Sequence, residues 1–150
     1  MSKYIASKCL FVGDSQVGKT CFVCTYLSGN FPNDPPVVKD PPIITVLYND
    51  EQIKLQPWDT PGSQDYSALR SLSYPSSDII IFCFSLVDPK SLDNIEKYWI
   101  PEVKKERPGK PYIIVGLKSD LRDDFAQHSE LKQQGFEPIS TEKGMKMKEK

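Results

Sequence analysis

The eight residues GDSQVGKT at positions 13–20 restrict this chain more than any other stretch, because they follow an apolar run, IASKCLFV, and open a segment with helical spacing. The pattern G-x-x-x-x-G-K-[ST] carries a mechanism only in this order of strand, loop and helix. Its glycines let backbone N–H groups close around phosphate oxygens at a helix N-terminus. Lys19 is then placed to neutralise the terminal phosphates, and the Thr20 hydroxyl to meet Mg2+.

The rest of the chain supplies the alternation such a loop needs. Ile5 to Val12 reads as a buried strand, and residues 21–27 as a helix that stops near Ser28-Gly29-Asn30. Residues 43–48 and 52–58 are strand-like runs around Asn49-Asp50-Glu51 and predict an antiparallel hairpin. Residues 79–85 and 112–116 are short apolar runs of the kind covered on both faces. Between them, residues 91–105 have helical spacing at Leu92, Ile95, Trp99 and Val103, with Pro89 ahead and Pro108-Gly109 behind. This order predicts an α/β fold, a mostly parallel sheet with one antiparallel hairpin strand, right-handed crossovers and helices on both faces. With 150 residues, 39% of them hydrophobic, one domain over residues 1–150 is expected. Two segments break the pattern. Residues 31–42 hold five of the thirteen prolines and read as an extended, stiff loop, whereas residues 120–138 read as a polar surface insertion with a short helix.

Composition excludes several function classes. A net charge of -1 provides no broad basic field, so binding to nucleic acid by counterion release is not expected. The longest apolar run, residues 79–84, is far too short for a transmembrane segment, and no signal-peptide core follows the first residues. Cys21 and Cys24 form a C-x-x-C that no second pair completes into a zinc site, and His128 stands far away. Ordinary thiols at Cys9, Cys21, Cys24 and Cys83 suit a reducing, cytoplasmic location. Lysines 143, 146, 148 and 150 are interleaved with Glu142 and Glu149, without a prenylation motif, and read as a solvated helix face.

Two further motifs follow in order. Asp59-Thr60-Pro61-Gly62 is a D-x-x-G after a strand, where an aspartate can hold Mg2+ through water and a glycine N–H can meet the γ-phosphate. Leu117-Lys118-Ser119-Asp120 follows the last apolar run. A carboxylate there can accept from two guanine N–H groups at once while the lysine stem lies over the base, which favours GTP and argues against an ATPase.

With these motifs in place, the chain resembles a Ras-superfamily small GTPase, and specifically the Rho/Rac family. The resemblance is carried by GDSQVGKTC at 13–21, WDTPG at 58–62, LRSLSYP at 69–75, CFSLVDPKS at 83–91, Tyr98-Trp99, PEV at 101–103 and VGLKSDLRDD at 115–124. It implies a small G-domain with a Rho-type insertion at about residues 121–138, acting as a signalling switch of the cytoskeletal kind. GTP/GDP and Mg2+ are the implied cofactors, and exchange factors, a GDP-dissociation inhibitor and effector proteins the implied partners. Carried over by residue, the phosphate loop is Gly13, Asp14, Ser15, Gln16, Val17, Gly18, Lys19 and Thr20, followed by Cys21. Phe31 would lie at the base edge, and Lys118, Asp120 and Leu121 on the guanine. Thr20 and Asp59 would hold Mg2+, and Lys19 and Gly62 would serve the γ-phosphate.

The chain departs from that family where the chemistry is done. Ser63 stands where a glutamine orients the attacking water, with Gln64 one position late, and Ser15 stands where glycine is usual, beside the γ-phosphate. Both predict slow hydrolysis with nucleotide still bound. Val38 aligns with the switch threonine, and no Ser or Thr occurs between Phe31 and Ile44. Leu117 replaces an Asn or Thr that ties the base loop to the phosphate loop, which predicts weaker nucleotide affinity, and Pro61 stiffens the turn before Gly62. The family continues with a final strand and helix that this chain lacks, so a fragment or a degenerate member is expected. Two functions are left standing: a loaded, hydrolysis-poor switch, and a nucleotide-independent pseudo-GTPase interaction module.

Overall fold

The computed structural model of the chain describes residues 5–35 and 41–147. Strands β1 (Ile5–Val12), β2 (Ile44–Tyr48), β3 (Glu51–Asp59), β4 (Ile79–Ser85) and β5 (Tyr112–Leu117) form one five-stranded sheet in the order β2-β3-β1-β4-β5. Only β2 and β3 pair antiparallel, and the other pairs are parallel. Asn49 (φ 48°) and Asp50 (φ 62°) close the hairpin in the left-handed region, as a two-residue turn that follows the strand twist requires. The expected fold class and hairpin are therefore both present.

Period-two alternation sends neighbouring side chains of β1 and β4 into two cores. Leu10, Val12, Ile80, Phe82 and Phe84 pack with Leu92, Ile95, Trp99 and Val103 on one face. Cys9, Phe11 and Cys83 pack with Val17 and Val23 on the other, where α1 (Lys19–Ser28) lies. Burial pushes the Cys83 thiol up to about 12, and all four cysteines are free. β5 corrects one expectation. It is an outer strand of the described sheet, and Tyr112 and Ile113 are about half exposed, so coverage on both faces holds for β4 and fails at the start of β5.

The helix expected over residues 91–105 is present with an unforeseen interruption. α3 (Pro89–Asn94) starts at Asp88, whose carboxylate accepts the Lys90 N–H at 3.1 Å, with Pro89 at the first helical position. It runs through a π turn (Ile95–Trp99), marked by an Ile100 N–H bond to the Ile95 carbonyl, into α4 (Ile100–Glu106). Pro101 has no N–H to give to the preceding turn, so widening there forfeits little.

The insertion carries more helix than expected: α5 (Ser119–Asp123), a 3-10 turn (Phe125–Gln127) and α6 (Ser129–Gln133), anchored by buried Phe125. The chain then returns to the sheet end, where Glu137 and Ile139 donate to the carbonyls of Val87 and Leu86, before α7 (Thr141–Lys146). Val38 and residues 148–150 lie outside the described residues. The flanking parts of the proline-rich loop, residues 31–35 and 41–43, contain no helix or strand.

Between β3 and β4, a 3-10 turn (Gln64–Tyr66) and α2 (Ser67–Ser71) bring Arg70 under the sheet with none of its surface exposed. Arg70 Nε and Nη2 donate to Glu102 Oε1 and Oε2 at 2.7 and 2.8 Å, and Nη1 donates to the carbonyls of Pro61 and Ser63 at 2.8 and 2.9 Å. Tyr74 gives its hydroxyl proton to the same Glu102 at 2.6 Å. Burial alone would raise the Glu102 carboxyl, but the bonds from Arg70 and Tyr74 outweigh it and hold the group below its ordinary range.

Replacing Arg70 with methionine leaves the Glu102 carboxylate without its cation and frees two carbonyls, and should cost about 3 kcal/mol of stability or more. Urea unfolding followed by tryptophan fluorescence checks this; a midpoint equal to that of the unmutated protein would refute it.

Candidate functional site

The loop after β1 is fixed by close backbone contact. A Cβ on Gly13 (φ 152°) would lie 2.1 Å from the Cys83 carbonyl oxygen, so only glycine lets the loop leave β1 against β4. Gly18 (φ 112°) begins α1 and turns the chain so that Lys19 lies under the loop. Lys19 is 5% exposed, and its Nζ donates to the carbonyls of Gly13 and Asp14 at 2.8 and 2.7 Å. Burial lowers its pKa, opposed chiefly by the charge of Asp59.

The Thr20 hydroxyl donates to Asp59 Oδ2, while Oδ1 is buried and has no hydrogen-bond partner among the described residues. Desolvation raises the Asp59 pKa despite the Thr20 bond and the nearby Lys19. A buried carboxylate oxygen without a donor, beside a hydroxyl, fits a hard divalent cation that takes oxygen ligands and draws the rest from phosphate and water. Thr20 and Asp59 thus fit Mg2+ by the chemistry of their donor set.

The D-x-x-G turn touches the loop directly. A Cβ on Gly62 would meet Ser15 N at 2.3 Å, Asp14 C at 2.4 Å and Gly13 O at 2.6 Å. Thr60 ties the same turn to β1 by donating to the Phe11 carbonyl at 2.6 Å. The Ser63 hydroxyl caps the 3-10 turn: it accepts the Asp65 N–H at 3.2 Å and faces Asp65 Oδ2 at 3.3 Å. Gln64 is exposed at the start of that turn.

Two cavities meet over the loop. One, of about 680 Å3, is lined by Ser15, Asp59, Thr60 and Gly62, and neither Ser63 nor Gln64 is among the described residues lining it. The other, of about 660 Å3, is lined by Cys21, Phe31, Lys118, Asp120 and Leu121. Gln16, Lys19, Thr20 and Pro35 line both, so one groove runs from Asp120 to Gly62. Lys118 (φ 63°), in the left-handed region just before α5, turns the chain there. Leu117 packs against the apolar cluster around Val17, and its Cδ1 lies 3.6 Å from where a Gly18 Cβ would be. The tie expected to be lost with Leu117 is thus replaced by an apolar contact between the two loops.

Most of the residues singled out from the sequence come together here. Two do not turn their side chains into the groove. Val17 is core, and the Asp14 carboxylate is taken by the helix, accepting from Asn94 Nδ2 at 2.6 Å and Trp99 Nε1 at 2.7 Å. Helical spacing marks Trp99 as a core position only, and it marks neither Asn94 nor the bonding of Arg70. The available signal was the anionic Asp14 in a tight loop, which must find donors. Against known families, residues 8–150 match the model described as Ras family.

The raised pKa of Asp59 sets the sign of a pH effect. A cation needs the ionised form, so Mg2+-dependent nucleotide retention should weaken as pH falls through values above the ordinary aspartate range. The ligand-free chain should respond oppositely, its burial penalty growing as pH rises through the same window. Release of fluorescent GDP with and without a chelator measures this, and Asp59→Asn should remove the dependence on both Mg2+ and pH.

Proposed function

We propose that this chain, which belongs to the Ras family and is thereby a small GTPase nucleotide-binding switch, is a Rho-like member that binds GTP and GDP with Mg2+ and hydrolyses GTP slowly. The observation that carries the slow step is the Ser63 hydroxyl, committed to Asp65 in the cap of the 3-10 turn rather than lining the phosphate cavity.

Ground-state binding and hydrolysis call on different residues. Binding draws on Lys19 for phosphate charge, the loop N–H groups, and Lys118 and Asp120 for the base. Mg2+, when bound, withdraws charge from the terminal phosphate oxygens, with Thr20 and Asp59 as the residues that would hold it. Hydrolysis additionally needs a group that orients water in line with the γ-phosphate. Ser63 is too short and otherwise engaged, and Ser15, which lines the same cavity, brings a side chain where glycine would leave room for the reacting group. The transition state is therefore served less well than the ground state.

The Rho-like assignment draws support from the buried Arg70, Tyr74 and Glu102 cluster, because its residues come from the LRSLSYP and PEV segments that carry the resemblance. Tyr66, Leu69 and Leu72 are exposed on the segment after Gly62 and offer apolar surface to effectors, exchange factors or a GDP-dissociation inhibitor. Four free thiols suit the cytoplasm. Among the described residues, no helix is long and apolar enough to cross a membrane. One observation favours a second reading, a nucleotide-independent interaction module: Leu117 joins the loops by apolar packing instead of a hydrogen bond.

Protein purified with Mg2+ and then denatured should release stoichiometric guanine nucleotide, largely GTP. Restoring the water-positioning group and the open loop with Ser15→Gly and Ser63→Gln should raise single-turnover hydrolysis about ten-fold or more. GDP alone in the unmutated protein would sink the slow-hydrolysis reading. No nucleotide, and none taken up, would leave the interaction module.

A further inference from the structure

We propose that Trp99 is a positioning residue for nucleotide retention, holding the phosphate loop through Asp14 and linked to the D-x-x-G turn through Arg70. The inference rests on the nucleotide-binding function proposed above.

Residue 14 is gripped on three sides. Its carbonyl oxygen accepts from Lys19 Nζ at 2.7 Å, and its carbonyl carbon lies so near Gly62 that a side chain there would come within 2.4 Å. Its carboxylate takes one charge-assisted bond on each oxygen, from Asn94 and from Trp99. In a regular helix, residues five apart point in different directions, because neighbours on one face are three or four apart. The π turn (Ile95–Trp99), with its bond spanning five residues, brings Asn94 and Trp99 to a single carboxylate. The widened turn thus aims two donors at the loop.

The face of the same indole meets the arginine that holds the D-x-x-G turn. Arg70 Cζ stands 4.6 Å from the Trp99 ring centroid, while Nη1 holds the carbonyls of Pro61 and Ser63, which flank Gly62. Trp99 is fully buried, so it has little freedom to absorb a shift on one side without passing it to the other. Movement of Gly62 toward a terminal phosphate pulls on Arg70, and through the indole N–H on Asp14. If that N–H is lost, the Asp14 carboxylate keeps Asn94 alone of these two donors, its charge is less stabilised, and the peptide between residues 14 and 15 is freer to turn away from phosphate.

Trp99→Phe keeps the ring beneath Arg70 and removes only the N–H. Release of fluorescent GDP from the Mg2+-loaded full chain should quicken about ten-fold, the scale of one hydrogen bond to a charged group. Adding Asp14→Asn should bring release back toward the unmutated rate, because the unpaired charge is gone; a defect of packing alone would not be rescued this way. Unchanged release in Trp99→Phe, or no rescue, overturns the proposal. If Trp99→Phe does not fold, the indole 15N resonance of Trp99, told apart from Trp58 by Trp58→Phe, decides. It should move when GDP is exchanged for a non-hydrolysable GTP analogue, and a fixed resonance overturns the proposal. An unmutated chain that retains no guanine nucleotide overturns the function proposed above as well, whereas retention with a silent Trp99 overturns this inference alone.

Discussion

A guanidinium with no access to water must find an acceptor for its N–H groups or destabilise the fold that encloses it, and Arg70 meets that demand by drawing three segments together. Glu102 arrives from α4 and the Pro61 and Ser63 carbonyls from the D-x-x-G turn, while Trp99 lies against the guanidinium. The turn that reaches Gly62 is thereby held at both flanks by one side chain. The site inherits this constraint, since Gly62 rests on the backbone of residues 13–15 and cannot shift without disturbing either the loop or the arginine.

The sheet was legible because its signals are local and repeated. β1 and β4 are apolar at successive positions and alternate between two cores, and Asn49 and Asp50 are residues that tolerate the left-handed turn the hairpin needs. The groove was legible because the phosphate loop and the base loop each state their chemistry in a few adjacent residues. What escaped reading depends on contacts far apart in sequence. Asp14 has the look of a nucleotide contact, but Asn94 and Trp99, eighty and more positions later, occupy both its oxygens. Helical periodicity marks Trp99 as core and cannot show that a widened turn aims its N–H at the loop. β5 reads as doubly covered because an apolar run looks the same at a sheet edge as at its centre.

Leu117 shows how a site can keep its geometry while changing the force that holds it. Asparagine or threonine at that position would join the base loop to the phosphate loop by a directional bond. Leucine joins them by filling space beside Gly18 and extending the cluster of Phe11, Val17 and Cys83. Dispersion contacts of this kind are individually small and lack direction, but many are made at once. The expectation of weaker nucleotide binding therefore concerns orientation more than cohesion. The two loops stay packed, while the angle at which Lys118 and Asp120 would meet a base on the proposed reading is set by α5 and the left-handed turn at Lys118.

The same separation of cohesion from chemistry applies at the phosphate end. Lys19, Thr20 and Asp59 are bound to one another or to the loop, so the residues proposed to meet phosphate and a cation are preorganised. Ser63 is held by hydrogen bonds too, but for a different purpose, since its hydroxyl completes the cap of the next turn. Order alone therefore does not make a residue catalytic. A group speeds hydrolysis only by interacting more strongly with the transition state than with bound GTP, and a hydroxyl already shared between the Asp65 N–H and carboxylate has little left to offer an incoming water. On the reading proposed above, the cap that stabilises the D-x-x-G turn and the slow hydrolysis are thus one feature of Ser63 seen from its two sides, the local fold and the reaction.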